Sequence, residues 1–134
     1  MIAVDSNVIA YCWLNGPLTA VAQKVRARDP EWHVPILWRS ELRSILTGYL
    51  RDGSLSRPQT AGVMDAIEDA LAGSEHLVSS AEVIKIAESS RLSAYNCEFV
   101  ALASTLAIPL VTVDKAVLKE FPEIALSMES FLKA

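Results

Sequence analysis

Two short stretches decide the fold of this 134-residue chain, IAVDSN at residues 2–7 and PLVTVD at residues 109–114. Each contains a short apolar run that leads into an aspartate, and such runs are typical of strands buried on both faces of a parallel sheet. Between the two stretches, apolar residues recur at helical spacing in segments separated by Gly, Pro and Asn. Strands that alternate with helices predict an α/β fold with a central parallel sheet.

Outward from these stretches, the pattern divides the rest of the chain into helices and three weaker strands within one domain, residues 1–134. Ser6 is the predicted cap of the first helix and Ser80 that of the fifth, since Ser is favoured at this position. Pro17 suits the first turn of the second helix. The predicted helices are 6–14, 17–28, 38–50, 56–72, 81–89, 94–107, 115–119 and 128–132, and the weaker strands are 33–36, 76–78 and 124–126.

Composition places the chain among globular proteins, with 51% hydrophobic and 21% charged residues. We expect a cytoplasmic protein without a membrane segment, since no apolar run approaches the roughly 18 residues that a membrane helix requires. Cys12 and Cys97 are far apart and match no metal motif, so they are predicted to be buried small residues. The net charge of −4 decides neither for nor against a nucleic-acid partner, because a cluster of metal-binding carboxylates also makes a chain acidic.

Three acidic residues are candidates for a functional site. In an open parallel sheet, functional residues gather at the carboxyl ends of the strands, where Asp5 and Asp114 stand. Either aspartate could instead simply cap the helix that follows it. The third candidate, Glu41, lies beside the apolar stripe of its helix and could equally be a solvent-facing residue. Arg39 and Arg43 flank it and could screen its charge or contact phosphates at a cleft rim.

Four segments taken together resemble a known family. IAVDSNVI (residues 2–9) resembles the strand, Asp-Thr/Ser-Asn and helix that open PIN-domain ribonucleases. WRSEL (38–42), LSAYNCEFVALA (92–103) and PLVTVD (109–114) resemble the second, third and fourth acidic motifs of that family. Their order and spacing cover nearly the whole chain and are similar to those of bacterial VapC-type toxins of toxin–antitoxin pairs.

The resemblance implies a three-layer α/β fold with a parallel sheet of about five strands and the activity of a metal-dependent endoribonuclease. Asp5, Glu41 and Asp114 would be catalytic and would bind Mg²⁺ or Mn²⁺, hard cations that prefer oxygen ligands, with Asn96 as a fourth ligand. Supporting roles fall to the hydroxyl groups of Ser6 and Thr112 and to the amide of Asn7.

The same resemblance implies three partners: an RNA substrate, a cognate antitoxin protein and a second copy of the chain. The apolar faces of residues 18–25 and 38–50 look larger than a monomer needs, so we expect them to form a homodimer interface or to seat the antitoxin.

Asn96 departs from the family pattern, which usually has aspartate there. An amide oxygen can bind a metal but carries no charge, so the change should weaken binding of a divalent ion. Glu98 is a candidate to compensate, although residues i and i+2 point to different sides of a helix. Three interpretations stay open: an enzyme that tolerates Asn96, a catalytically impaired PIN-like module that binds RNA or protein, or an asparagine introduced to silence a toxic nuclease.

A haloacid-dehalogenase-like phosphatase with Asp5 as nucleophile is a further alternative. That mechanism needs a second acid two residues later, where this chain has Asn7, and the chain has no glycine fingerprint for nucleotides.

The remaining histidines and tryptophans suggest no chemistry by their spacing. His33 and His76 are predicted to flank strands or to lie at the surface, since neither has metal-ligand spacing to a partner. Trp13, Trp32 and Trp38 are predicted to be core or interface residues, with Trp38 the best placed of them for RNA contact.

Overall fold

The computed structural model describes residues 1–134 and contains five strands and eight helices. The strands are β1 (Ile2–Val4), β2 (Trp32–Pro35), β3 (Glu75–His76), β4 (Leu110–Val111) and β5 (Ala125–Leu126). The helices are α1 (Ser6–Trp13), α2 (Thr19–Arg28), α3 (Trp38–Arg51), α4 (Arg57–Leu71), α5 (Ser80–Glu88), α6 (Ala94–Leu106), α7 (Lys115–Glu120) and α8 (Met128–Lys133).

All five strands are parallel and lie in the order β3-β2-β1-β4-β5. The predicted three-layer α/β fold with a five-stranded parallel sheet is therefore confirmed. The chain passes from β1 to β2 on one side and later returns to place β4 on the other side of β1. The boundary between β1 and β4 is thus the switch point of the sheet, where a crevice opens at the carboxyl ends of the strands.

Two apolar cores cover the two faces of the sheet. On one face, the buried side chains of Ile2 and Val4 pack with residues from α1, α2, α3, α4 and α8. On the other face, Ala3 packs with residues from α5, α6 and α7. This division follows from the strand geometry, because successive side chains of a strand point to opposite faces. Burial of both faces explains why β1 and β4 are apolar throughout.

Strand β4 is shorter than predicted, and this changes the position of Asp114. Val4 lies opposite Val111 in the sheet, so the residue that corresponds to Asp5 at the end of β1 is Thr112. The ladder stops at Val111, and Asp114 stands beyond the strand at the start of α7. The prediction that the two aspartates occupy equivalent strand ends was therefore wrong, although both stand at the same edge of the sheet.

Two helices begin with a different cap from the predicted one. Asp5, not Ser6, caps α1, and its Oδ1 accepts a hydrogen bond of 2.8 Å from the backbone N–H of Val8. Ser79, not Ser80, caps α5. A cap must have non-helical backbone. Asp5 satisfies this requirement with its extended conformation, whereas Ser6 is already the first residue of its helix.

Most other element boundaries differ from the prediction by one or two residues, and for α2 and β3 the structure shows the reason. Helix α2 begins at Thr19 rather than at Pro17, because a turn precedes it in which the Thr19 N–H donates to Gly16 O at 3.2 Å. Strand β3 is Glu75–His76 rather than 76–78, since these two residues pair with β2.

The apolar faces of α2 and α3 are largely used inside the protein. Ala22 and Val25 of α2 are fully buried, as are Leu42 and Leu46 of α3, and only Leu50 is as much as 38% exposed. The apolar surface that these two helices leave exposed is therefore small, and the dimer or antitoxin interface expected there stays a prediction.

Cys12 and Cys97 are both free and buried, which confirms their predicted place in the interior. None of the helices has the length and apolar character needed to cross a membrane.

Candidate active site

A cavity of about 280 Å³ opens at the carboxyl edge of β1 and β4. Every candidate residue except Glu98 lines it. The polar lining residues are Asp5, Ser6, Asn7, Glu41, Ser44, Asn96, Thr112 and Asp114, and the apolar ones are Ile45, Phe99, Leu110 and Val117. The fold thus brings together the three carboxylates that the sequence singled out, from the starts of α1, α3 and α7.

Asp5 is held on both of its carboxylate oxygens. Its Oδ1 caps α1 at Val8, and its Oδ2 accepts hydrogen bonds from the Thr112 hydroxyl and, at 3.1 Å, from the Val113 N–H. Burial raises the pKa of Asp5, and the nearby charge of Asp114 raises it further, while these three hydrogen bonds oppose the shift. The capping and site interpretations of Asp5 are therefore compatible, since the same side chain caps α1 and lines the cavity.

Asp114 repeats this arrangement at the next strand. Its Oδ1 accepts from the N–H groups of Ala116 and Val117 at 2.9 and 3.1 Å and so caps α7. Its Oδ2 lies 3.3 Å from the Asn96 amide nitrogen. The buried Thr112 hydroxyl accepts from the Asp114 N–H at 3.0 Å, so one hydroxyl group contacts both aspartates.

Glu41 enters the cavity through a contact with α1. It lies in the first turn of α3, and its Oε1 accepts a 2.7 Å hydrogen bond from the hydroxyl of Ser6. Ser6 is buried, so the contact fixes one oxygen of Glu41 from the protein interior. Glu41 is only partly exposed, so it is not an ordinary solvent-facing glutamate.

Asn96 owes its place to the start of α6. Ser93 caps this helix and accepts a 3.2 Å hydrogen bond from the Asn96 N–H, which puts Asn96 in the first turn. Glu98, two residues later, does not line the cavity. Burial raises the pKa of Glu98, and the negative charge of Glu41 raises it further, so Glu98 lies close enough to affect the site from one side.

Arg39 and Trp38 do not face the cavity. Arg39 forms a two-pronged ion pair with Glu75 at 2.7 and 2.8 Å and also contacts Glu68. Trp38 is fully buried, and its indole N–H donates to Glu75 at 2.7 Å. The suggestions that Arg39 meets phosphates and that Trp38 meets RNA were therefore wrong, because both side chains are committed to Glu75.

Several other residues that line the cavity were not identified from the sequence. Ser44 and Ile45 follow Glu41 by three and four positions, and Phe99 follows Asn96 by three. Residues at this spacing lie on one face of a helix. The spacing of three or four positions from Glu41 and Asn96 is therefore the signal in the sequence that could have identified these lining residues.

The donor set fits a hard cation such as Mg²⁺ or Mn²⁺. The cavity offers the carboxylates of Asp5, Glu41 and Asp114 together with amide and hydroxyl oxygens, and it offers no nitrogen or sulfur ligand. No three acidic, histidine or cysteine side chains close around a single point as they stand. Mg²⁺ commonly uses only one or two protein carboxylates and keeps several waters, so the set is compatible with it.

The first turns of α1 and α6 also border this cavity, since Asp5 caps one helix and Asn96 lies in the other. Helix N-termini carry partial positive charge and unpaired N–H groups, which attract phosphate. The start of α1 is already paired with the Asp5 carboxylate, whereas α6 has the neutral cap Ser93, so the start of α6 is the one better suited to an anion.

Comparison with known proteins supports the fold. No protein-family model matches the chain, and no curated protein matches it. Among solved structures, the chain is similar to that of PAE2754 from Pyrobaculum aerophilum, with a TM-score of 0.77 and 17% identity. The similarity covers 98% of this chain and 93% of that one, so the two share a fold over almost their full lengths.

Proposed function

We propose that this protein is a metal-dependent endoribonuclease of the PIN-domain type, with reduced metal affinity. The observation that carries the proposal is the convergence of Asp5, Glu41 and Asp114 on one cavity at the switch point of the sheet. The four sequence motifs that resemble PIN-domain ribonucleases meet at this cavity, and the shared fold with PAE2754 is compatible with the proposal.

The chain's own residues would hold the ion and position the substrate. Asp5, Glu41 and Asp114 would bind Mg²⁺ or Mn²⁺, which when bound supplies an activated water and a stabilising charge for phosphodiester hydrolysis. Thr112 restrains Asp5 and Ser6 restrains Glu41 through their hydrogen bonds, which would fix the orientation of these carboxylates. The first turn of α6, which has the neutral cap Ser93, would donate backbone N–H groups to the RNA phosphate.

Asn96 accounts for the reduced affinity in this proposal. Its NH₂ group donates to Asp114, whereas an aspartate at this position would add a charged ligand. With three charges in place of four, the site attracts a dication less strongly and also repels itself less when empty.

A second candidate is a PIN-like module that binds RNA or protein without cleaving. The hydrogen bond from Asn96 to Asp114 favours it, because this bond partly satisfies a carboxylate that would otherwise need a cation. Metal-dependent stability separates the two candidates, since only an occupied site raises the melting temperature.

The phosphatase alternative is less favoured. That mechanism needs a second acid two residues after the nucleophile, and this position holds Asn7, which lines the same cavity as Asp5.

Cleavage of single-stranded RNA tests the proposal directly. The wild-type protein should cleave with Mn²⁺ or Mg²⁺, and EDTA should abolish cleavage. Asp5→Asn should lower the rate about a hundredfold or more, because the lost interaction is worth several kcal/mol. Asp65→Asn is a matched control, because Asp65 is exposed, does not line the cavity and forms no ion pair. Cleavage that is unchanged by EDTA would rule out the metal mechanism.

We also propose the partners that the resemblance implies, a cognate antitoxin protein and a second copy of the chain. A short reading frame for a small DNA-binding protein immediately upstream would support the antitoxin. Light scattering of the purified protein measures its molar mass, which should be that of a dimer. The molar mass of a monomer at high protein concentration would contradict the proposed dimer.

A further inference from the structure

Three side chains outside the cavity form a connected polar cluster on β2 and β3. His33 Nδ1 lies 2.8 Å from His76 Nε2, and His33 Nε2 lies 2.9 Å from a carboxylate oxygen of Glu31. The two imidazole rings are 5.0 Å apart between centroids and inclined at 42°. Both histidines are partly buried, with only 14% of the His33 side chain exposed. The sequence showed no partner for either histidine, because 43 positions separate them.

The hydrogen bonds define the protonation of His33. The Glu31 carboxylate can only accept, so His33 carries its proton on Nε2 and donates it to Glu31. The lone pair of His33 Nδ1 then accepts a hydrogen bond from the Nε2–H of His76, so these two nitrogens face each other. Metal-binding histidines commonly show this arrangement, in which a carboxylate holds one ring nitrogen and leaves the other free for the metal.

We infer that His33 and His76 form a binding site for a borderline dication such as Zn²⁺ or Ni²⁺, separate from the acidic cavity. His33 would bind through Nδ1 and His76 through Nε2, with Glu31 orienting His33 and water in the remaining positions. Imidazole nitrogens suit these ions, whereas Mg²⁺ and Mn²⁺ prefer the oxygen-rich cavity. Neither histidine lines that cavity.

The geometry needs only a small adjustment. Zn–N bonds of about 2.0–2.1 Å at a tetrahedral angle place two ligand nitrogens roughly 3.3 Å apart. The present separation of 2.8 Å must therefore widen by about half an ångström, which side-chain rotation can supply. The ion would replace the hydrogen bond between the two rings, so His76 must also change its proton from Nε2 to Nδ1. Burial and the neighbouring His33 lower the pKa of His76, which favours the neutral ring that a metal requires.

A bound ion would join the edge of the sheet to its interior. His33 belongs to β2 and His76 to the two-residue edge strand β3, whose backbone pairing with β2 is short. An ion that binds only the folded protein stabilises it, and the stabilisation grows with the logarithm of the ion concentration once the site is filled. Two protein ligands make a weaker site than the four of a structural zinc, so we expect stabilisation at micromolar to millimolar metal.

Histidine NMR of the wild-type protein tests the site, because the chain contains only two histidines. Zn²⁺ is added to the folded protein in excess Mg²⁺, which competes for the acidic cavity. Both imidazole signals should shift together along one saturating curve, and the melting temperature should rise. Imidazole signals that stay unmoved while Zn²⁺ binds elsewhere would overturn the inference.

Variants then assign the ligands. His33→Gln and His76→Gln should each remove the Zn²⁺-dependent rise in melting temperature, while Glu31→Gln should keep it with an affinity about tenfold weaker. Asp5→Asn should leave the rise unchanged. A rise that survives both histidine variants, or that vanishes in Asp5→Asn, would assign the bound Zn²⁺ to the acidic cavity and overturn the inference.

Discussion

The amide nitrogen of Asn96 lies 3.3 Å from Oδ2 of Asp114, so a neutral donor stands beside a carboxylate at the centre of the candidate site. The contact joins the start of α6 to the start of α7. Replacement of the Asn96 amide by a second carboxylate would turn this attraction into a repulsion, which only a cation or a proton can relieve.

Asn96→Asp should therefore make the protein depend on metal. Without metal we expect the free energy of unfolding to fall by on the order of 1 kcal/mol, because two carboxylates then face each other. With Mn²⁺ the loss should reverse and RNA cleavage should rise about tenfold or more, since the ion gains a charged ligand. Melting temperatures with and without Mn²⁺, measured alongside cleavage, check both effects.

Asn96→Ala is the matched control, because it removes the amide without adding charge. It should show no added response to Mn²⁺. If Asn96→Asp behaves in the same way, residue 96 is no metal ligand, and the non-catalytic module becomes the better interpretation.

Thr112→Val should damage the site more than the fold. The Thr112 hydroxyl contacts both Asp5 and Asp114, and its loss leaves buried polar groups without a partner at a cost of about 1–3 kcal/mol. Metal-dependent cleavage should fall roughly 10–100-fold, as is usual when a group that supports a ligand is removed. Thr112→Ser retains the hydroxyl and should keep most of the activity. Equal losses in the Val and Ser variants would contradict this role of the hydroxyl.

The contacts of Glu75 predict a dependence of stability on pH. Hydrogen bonds from Arg39 lower the pKa of Glu75 below its ordinary value of 4.5, with a smaller contribution from Trp38, while burial opposes the shift. Because the unfolded chain binds this proton more readily, the stabilisation is complete above the unfolded pKa and is lost as pH falls through the folded pKa. Urea unfolding between pH 7 and pH 3 should show this loss.

Glu75→Gln should flatten that part of the pH profile and lower stability at pH 7, since it removes the charged partner of Arg39. Glu88→Gln serves as the control at an exposed glutamate. An identical pH profile for wild type and Glu75→Gln would show that the Arg39–Glu75 pair contributes nothing measurable.

Leu46→Ala tests the internal role of α3. Leu46 is 1% exposed within the core, so its truncation should cost about 2–5 kcal/mol in the free energy of unfolding. Leu50, on the same helix and 38% exposed, is the matched control and should cost much less when truncated in the monomer. A comparable loss in Leu50→Ala would indicate that this residue is covered by a second chain.

The strong elements and the acidic edge of the sheet were predictable from the sequence. The apolar runs of β1 and β4 are local signals of burial, and chain direction places Asp5 and Asp114 at the same edge of a parallel sheet. Boundaries were less predictable, as Asp114 shows. Val111 ends the ladder two residues earlier than its β-branched neighbours suggest, because pairing with β1 and β5 decides where a strand stops.

Tertiary structure alone decided which side chains meet. Ser6 and Glu41 are 35 positions apart, Asn96 and Asp114 are 18 apart, and His33 and His76 are 43 apart. The sequence by itself determined that these are polar residues near the ends of strands and helices, because such patterns depend on neighbours along the chain. Contacts at 2.7 to 3.3 Å depend instead on how the helices pack on the sheet. That packing is determined by many residues in both apolar cores, which are distant from one another along the chain.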